Sequence, residues 1–139
     1  MHYWLLKSEP STFSIDDLAR AARKTTCWEG VRNYQARNFL RAMKKGDLGF
    51  FYHSVNERQI VGIVEVAKEF HSDPTDESGK FGMVGVKAVK PVKVPVTLQQ
   101  IKQDARFGDF ALIRQSRLSV VPVSPEHWAW LCEMAGIEA

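Results

Sequence analysis

The chain has 139 residues, 45% of them hydrophobic and 25% charged, which excludes a disordered or fibrous protein and gives one domain, 1–139, by length. Two cysteines, Cys27 and Cys132, exclude a disulfide scaffold and a four-thiolate zinc site, and are expected as buried or half-buried free thiols. The N-terminal apolar run is too short for a signal peptide, no stretch spans a bilayer, and the net charge of +3 fits a nucleic-acid partner, so the expectation is a cytoplasmic monomer.

Tyr3 to Lys7 reads as a first strand, ended by Pro10. Ser14 and Asp17 have capping-box spacing, and Ile15, Leu18, Ala19 and Ala22 repeat on one face of the helix they open. That helix ends in the basic run Arg20 to Lys24, and Thr25 to Asn33 reads as irregular, with a turn at Gly30. A second helix is expected from Tyr34 to Lys45, with Ala36, Phe39, Leu40 and Met43 inward and Gly46 as its stop.

Leu48 to Tyr52 reads as a buried strand, His53 to Arg58 as a turn and Ile60 to Val66 as the returning strand of a hairpin. His71 to Gly82 is polar and reads as a surface loop. Val84 to Val96 is a valine-rich strand whose Pro91 and Pro95 point to an edge position or a bulge. Thr97 and Gln100 form a capping box before a short helix, and Leu118 to Val123 is the last strand. Ser124, Pro125 and Glu126 open a final helix with Trp128, Leu131, Cys132 and Ala135 inward and Gly136 at its end. The fold class is α+β: a mostly antiparallel sheet curled into a small barrel, with helices around it.

Motifs for phosphate loops, dinucleotides, zinc deaminases and serine hydrolases are absent, and no paired-histidine zinc helix occurs. Glu29, Asp47 and Asp109 are dispersed and read as surface or turn carboxylates. Five patterns remain beside them. Trp28 with Arg32, Asn33 and Tyr34 offers a stacking face and base-edge hydrogen bonds, although composition alone favours a core tryptophan with Asn33 as a helix cap. Arg37, Arg41 and Lys44 share the outer face of the second helix, suited to a phosphate backbone or simply to solvent. Phe51 and His53 face one way and Tyr52 and Ser54 the other, so this strand either lines a cavity or is core. Lys7 and Ser8, and Arg117 to Ser119, sit at strand ends with the same two readings.

Taken together, Tyr3 to Pro10, Trp28 to Asn38, Gly46-Asp47, Phe51 to Ser54, Asp73-Pro74 and Arg117 to Val123 resemble the EVE family, in family order over the whole chain. The pattern differs from the family's at Glu29, where Asp is usual, and in the short segment Thr75 to Phe81. The resemblance implies a PUA-like pseudobarrel and a non-catalytic nucleic-acid-binding domain, a reader of modified cytosine in DNA or RNA with no cofactor or metal. It implies a base pocket of Lys7, Ser8, Trp28, Asn33, Tyr34, Tyr52, His53, Ser54, Arg117, Leu118 and Ser119, with Arg32, Arg37, Arg41 and Lys44 on phosphates. The rival readings are an enzyme processing RNA or a modified base, which needs a pocket carboxylate or Lys7 with a shifted pKa, and a nucleoside-binding or protein-interaction module.

Overall fold

The computed structural model describes residues 2–28 and 31–137, so Glu29 and Gly30 lie outside the described residues. One mixed sheet holds six strands: β1 Tyr3–Ser8, β2 Thr25–Trp28, β3 Leu48–His53, β4 Gln59–Ser72, β5 Gly82–Thr97 and β6 Val120–Val123. Their order is β2-β5-β4-β3-β1-β6. Only β1 and β3 run parallel, and every other neighbour is antiparallel, as the sequence implied.

The sheet curls but does not close, because β2 and β6 remain at its two ends. The curled, mostly antiparallel sheet expected from the sequence is thus an open pseudobarrel. Helix α2, Tyr34–Ala42, bridges the opening by packing on β6 as well as on β4 and β5. Its Ala36 and Leu40 enter a core with Trp4, Leu6, Phe51, Val64, Val86 and Val120, the inward side of the alternating strands. Burying each large apolar side chain there contributes roughly 1.5–3 kcal/mol.

The other sheet face carries Leu5, Phe50, Tyr52, Ile63 and Val121 under three helices, α3 Leu98–Gln103, α4 Ala111–Arg114 and α5 Pro125–Met134. Trp128 of α5 lies between Tyr3, 4.4 Å away, and Phe50, 4.1 Å away, both stacked. Helix α1, Ile15–Arg20, has the expected capping box between Ser14 and Asp17, and it sits over β4, where a Cβ on Gly62 would meet Ile15 Cδ1 at 2.8 Å.

Several local expectations change. Ala19 is exposed within α1, whose buried residue is Leu18, and Ala22 is exposed because α1 stops at Arg20 and a 3-10 turn follows. Thr25 to Trp28 is a strand: it is the short outer partner of β5 in a pairing sixty residues away in sequence, which local pattern does not reveal. α2 ends at Ala42, three residues before Lys45. β4 runs on to Ser72, so the loop shrinks to residues 73–81. Pro91 and Pro95 sit where β5 has outrun β2, whose pairing ends at Lys87, and where the β4 register shifts between Gly62 and Ile60. The edge and the bulge are thus both present.

Candidate functional site

Two concavities open near the C-terminal ends of the parallel strands, and Lys7 lines both. The first, of about 460 Å³, is walled by Trp28 and Phe13 and edged by Ser8, Glu9, Thr12, Thr26 and Cys27. Trp28 is 9% exposed and meets the Phe51 ring edge-on at 5.5 Å, so the same indole is core on one side and wall on the other. Ser8 Oγ donates to Phe13 O at 2.5 Å, and the amides of Thr12 and Phe13 donate to Glu9 O at 2.9 Å. These bonds tie the strand exit to the aromatic wall. The hollow combines apolar faces with an amine, a carboxylate and hydroxyls, the mixture that reads a heterocycle edge.

The second, of about 480 Å³, is lined by Lys7, Arg58, Lys102 and Arg117, by Tyr52, Ser54, Ser116 and Ser119, and by the aliphatic Val55, Leu98, Leu112 and Leu118. No carboxylate stands among its described lining residues. Such a site concentrates anions, because uncompensated cations around a concave low-dielectric surface reinforce one another's field. Tyr52 is almost wholly buried, and burial pushes its phenol up to about 12, so it stays a neutral hydrogen-bond donor. Burial lowers the Lys7 ammonium from its ordinary 10.5. Lys7 Nζ donates to Ser116 O at 2.8 Å, and its backbone N–H donates to Ser119 O at 2.8 Å, which fixes the segment from Ser116 to Ser119 against β1.

The eleven candidate pocket residues thus divide. Lys7, Ser8 and Trp28 line the first hollow, and Lys7, Tyr52, Ser54, Arg117, Leu118 and Ser119 the second. The structure assigns His53, Asn33 and Tyr34 other surroundings. His53 is buried, its Nε2 accepts from the Ile15 N–H at 3.0 Å, and its Nδ1 bonds Glu57 at 2.9 Å, so it carries the α1 approach. Asn33 caps α2, its Oδ1 accepting from the Ala36 N–H at 3.0 Å. Tyr34 is half exposed against Phe81, with the Arg37 guanidinium 4.9 Å over its ring.

The candidate phosphate ligands divide as well. Arg32 bridges Asp73 at 3.2 Å and Thr75 at 2.9 Å, and Arg37 donates to Lys80 O at 3.2 Å. Both therefore fasten loop 73–81 to the start of α2. Arg41 lies over Phe70 at 5.3 Å, and the Lys44 N–H donates to Asp47 Oδ2 at 3.0 Å, at the entry to β3. That end of the sheet is about 16 Å from Tyr52, five strand residues away. Asp47 is a buried turn carboxylate that also accepts from Trp4 Nε1 at 3.1 Å and His2 N at 3.3 Å. Burial works to raise its pKa, but these donors outweigh it and hold the carboxyl below its ordinary value.

Sequence reasoning left out Glu9, Arg58 and Lys102 as site residues. Glu9 lies within the segment Tyr3 to Pro10, whereas Arg58 closes a turn and Lys102 lies on a helix without a motif, and only the folded chain brings them to Lys7. Cys132 is buried, with its thiol pushed up to about 11 by burial, while Cys27 is exposed at the first hollow rather than half-buried. No group of three metal-ligating side chains occurs among the described residues.

The EVE domain family model matches residues 2–134. Thymocyte nuclear protein 1 of Gallus gallus is 38% identical over 164 residues, covering 95% of this chain and 68% of that protein. A crystal structure of an Agrobacterium tumefaciens protein has a TM-score of 0.95 and 43% identity, covering 99% of this chain and 94% of its own. The crystal structure of human THYN1 protein in complex with 5-methylcytosine containing DNA has a TM-score of 0.93 and 34% identity, covering 100% of both chains.

Proposed function

The chain belongs to the EVE domain family, and from that premise we propose that it is a non-catalytic nucleic-acid-binding domain that reads a modified base, a modified cytosine foremost. The base enters the Trp28–Phe13 hollow and its phosphates lie in the neighbouring cationic one, with Lys7 between them. The observation that carries this reading is the pairing itself: a mixed polar and aromatic hollow beside an acid-free ring of Lys7, Arg58, Lys102 and Arg117. The DNA-bound relative supports it by its kinship in fold and sequence.

Energetics favour this division of labour. Unstacking a base costs a few kcal/mol, and an aromatic wall returns roughly 1–3 kcal/mol. Phosphate contacts must then supply the surplus, so binding is salt-sensitive. In this reading Glu9, on the edge of that hollow, accepts from the cytosine amino group, the usual carboxylate contact to that base. A methyl at cytosine C5 adds about 0.8 kcal/mol of apolar burial, which sets the preference at tenfold or less.

The test is a titration of matched oligonucleotides carrying 5-methylcytosine, plain cytosine, modified adenine or plain adenine, as DNA and as RNA. Tighter binding of the modified cytosine than of plain cytosine, with Glu9→Ala weakening both cytosine probes against adenine, supports the reading, and equal affinity across the series overturns it. The lowered Lys7 pKa is the one feature that favours the enzyme reading. Mass analysis of the same oligonucleotides after long incubation decides it, since a reader returns them unchanged.

A further inference from the structure

Between β3 and β4, the chain turns through Val55 and Arg58 with φ of 71° and 49°. A β-branched residue in the left-handed region is a genuine outlier. Such strain persists only where the surroundings hold it, and it gathers at working sites. Here the surroundings do hold it. The Ser54 N–H donates to Ser8 O at 2.9 Å, Arg58 Nε donates to Val55 O at 2.9 Å, and the Leu98 N–H donates to Arg58 O at 2.8 Å. The strained backbone delivers an apolar side chain into water, for Val55 is 52% exposed. It stands on the lining of the cationic hollow, and its turn is tied through Ser54 to Ser8, which lines the base hollow.

Nothing in the fold needs an exposed valine there; an asparagine or glycine would make the same turn without strain. A rigid apolar tip among cations matches one occupant in charge and shape: a duplex whose phosphates meet Arg58, Lys102 and Arg117 and whose base stack has been opened. We infer that Val55 is a wedge that enters the duplex at the space left by the flipped base and keeps that base from falling back. Apolar side chains placed between base steps act this way in proteins that deform DNA. The inference rests on the reader function proposed above, and its test separates the two.

The experiment compares the wild-type protein with Val55→Gly and Val55→Asn on a 5-methylcytosine duplex and on the same strand alone. A single strand has no vacated space, so it needs no wedge. Both variants relieve the left-handed strain, so each is expected to melt no lower than wild type, which removes misfolding as an explanation. The expected result is a loss of affinity about tenfold larger on the duplex than on the single strand, the worth of burying one valine side chain. Equal losses on both probes would make Val55 a wall of the hollow, and no loss on either would make it a bystander; each overturns the wedge and leaves the reader standing. A wild-type protein that binds neither probe ends the reader reading itself.

Discussion

Asp47 shows how much one side chain can hold together. It takes hydrogen bonds from the Lys44 N–H just after α2, from Trp4 in β1 and from the backbone N–H of His2. Its carboxyl is held below its ordinary value, so its contribution to stability is present above about pH 4 and is lost as the pH falls through the folded value. Asp47→Asn forfeits that contribution at neutral pH. Thermal melts from pH 7 down to pH 3 are expected to show a lower Tm at pH 7 and a flatter acid limb than wild type. Trp28→Ala, for its part, removes a core ring packed on Phe51 and is expected to cost roughly 3–5 kcal/mol in denaturant unfolding. The sequence already offered Trp28 and Asn33 as core and cap, because a helix signal three residues long is enough to place a cap. It had no means of showing that Glu9, nine residues from the start, would stand beside Trp28.

At the scale of elements, the division of cations is the chief result. Spacing on a helix reveals which charges share a face, and Arg37, Arg41 and Lys44 do share one. Spacing does not reveal what that face meets. Arg37 meets a carbonyl of loop 73–81, whereas Arg41 over Phe70 and Lys44 at the entry to β3 sit toward the end of the sheet away from the cationic hollow. The double variant Arg58→Ala, Arg117→Ala is therefore expected to take about 0.9 per cation off the log–log salt slope of nucleic-acid binding. Arg41→Ala with Lys44→Ala is expected to leave the slope unchanged, and binding isotherms at several salt concentrations check both. Helix caps, the β3–β4 hairpin and the proline-marked bulge were legible because each is written within a few residues. Strand β2 was not, since four residues borrow their strand character from β5.

For the whole molecule, the open curl of the sheet matters more than any one strand. Composition and alternation implied a barrel, but local pattern carries no information on whether the last edge meets the first. Here α2 stands between them and leaves the parallel strand ends free to build two hollows around Lys7. Because burial lowers the Lys7 ammonium from 10.5, this cation discharges at a lower pH than exposed lysines. Nucleic-acid affinity is expected to weaken in the alkaline range below 10.5, and Lys7→Arg is expected to remove that decline. Affinity measured against pH at fixed salt checks it, with the Tm followed alongside, since the discharged form is the one that burial favours.

Residues 73–81 leave and rejoin the sheet at Ser72 and Gly82, which are direct partners across β4 and β5. The excursion is thus closed at its base, and lengthening it moves neither strand. Closure entropy rises only with the logarithm of length, so each doubling costs about 0.6 kcal/mol. Arg32 and Arg37 grip it at Asp73, Thr75 and Lys80, and the crest at Glu77 and Ser78 carries no such grip. The crest is accordingly a splice point: a reporter peptide or fluorophore tag set there would ride on the molecule beyond the sheet and leave the strand pairing beneath it intact.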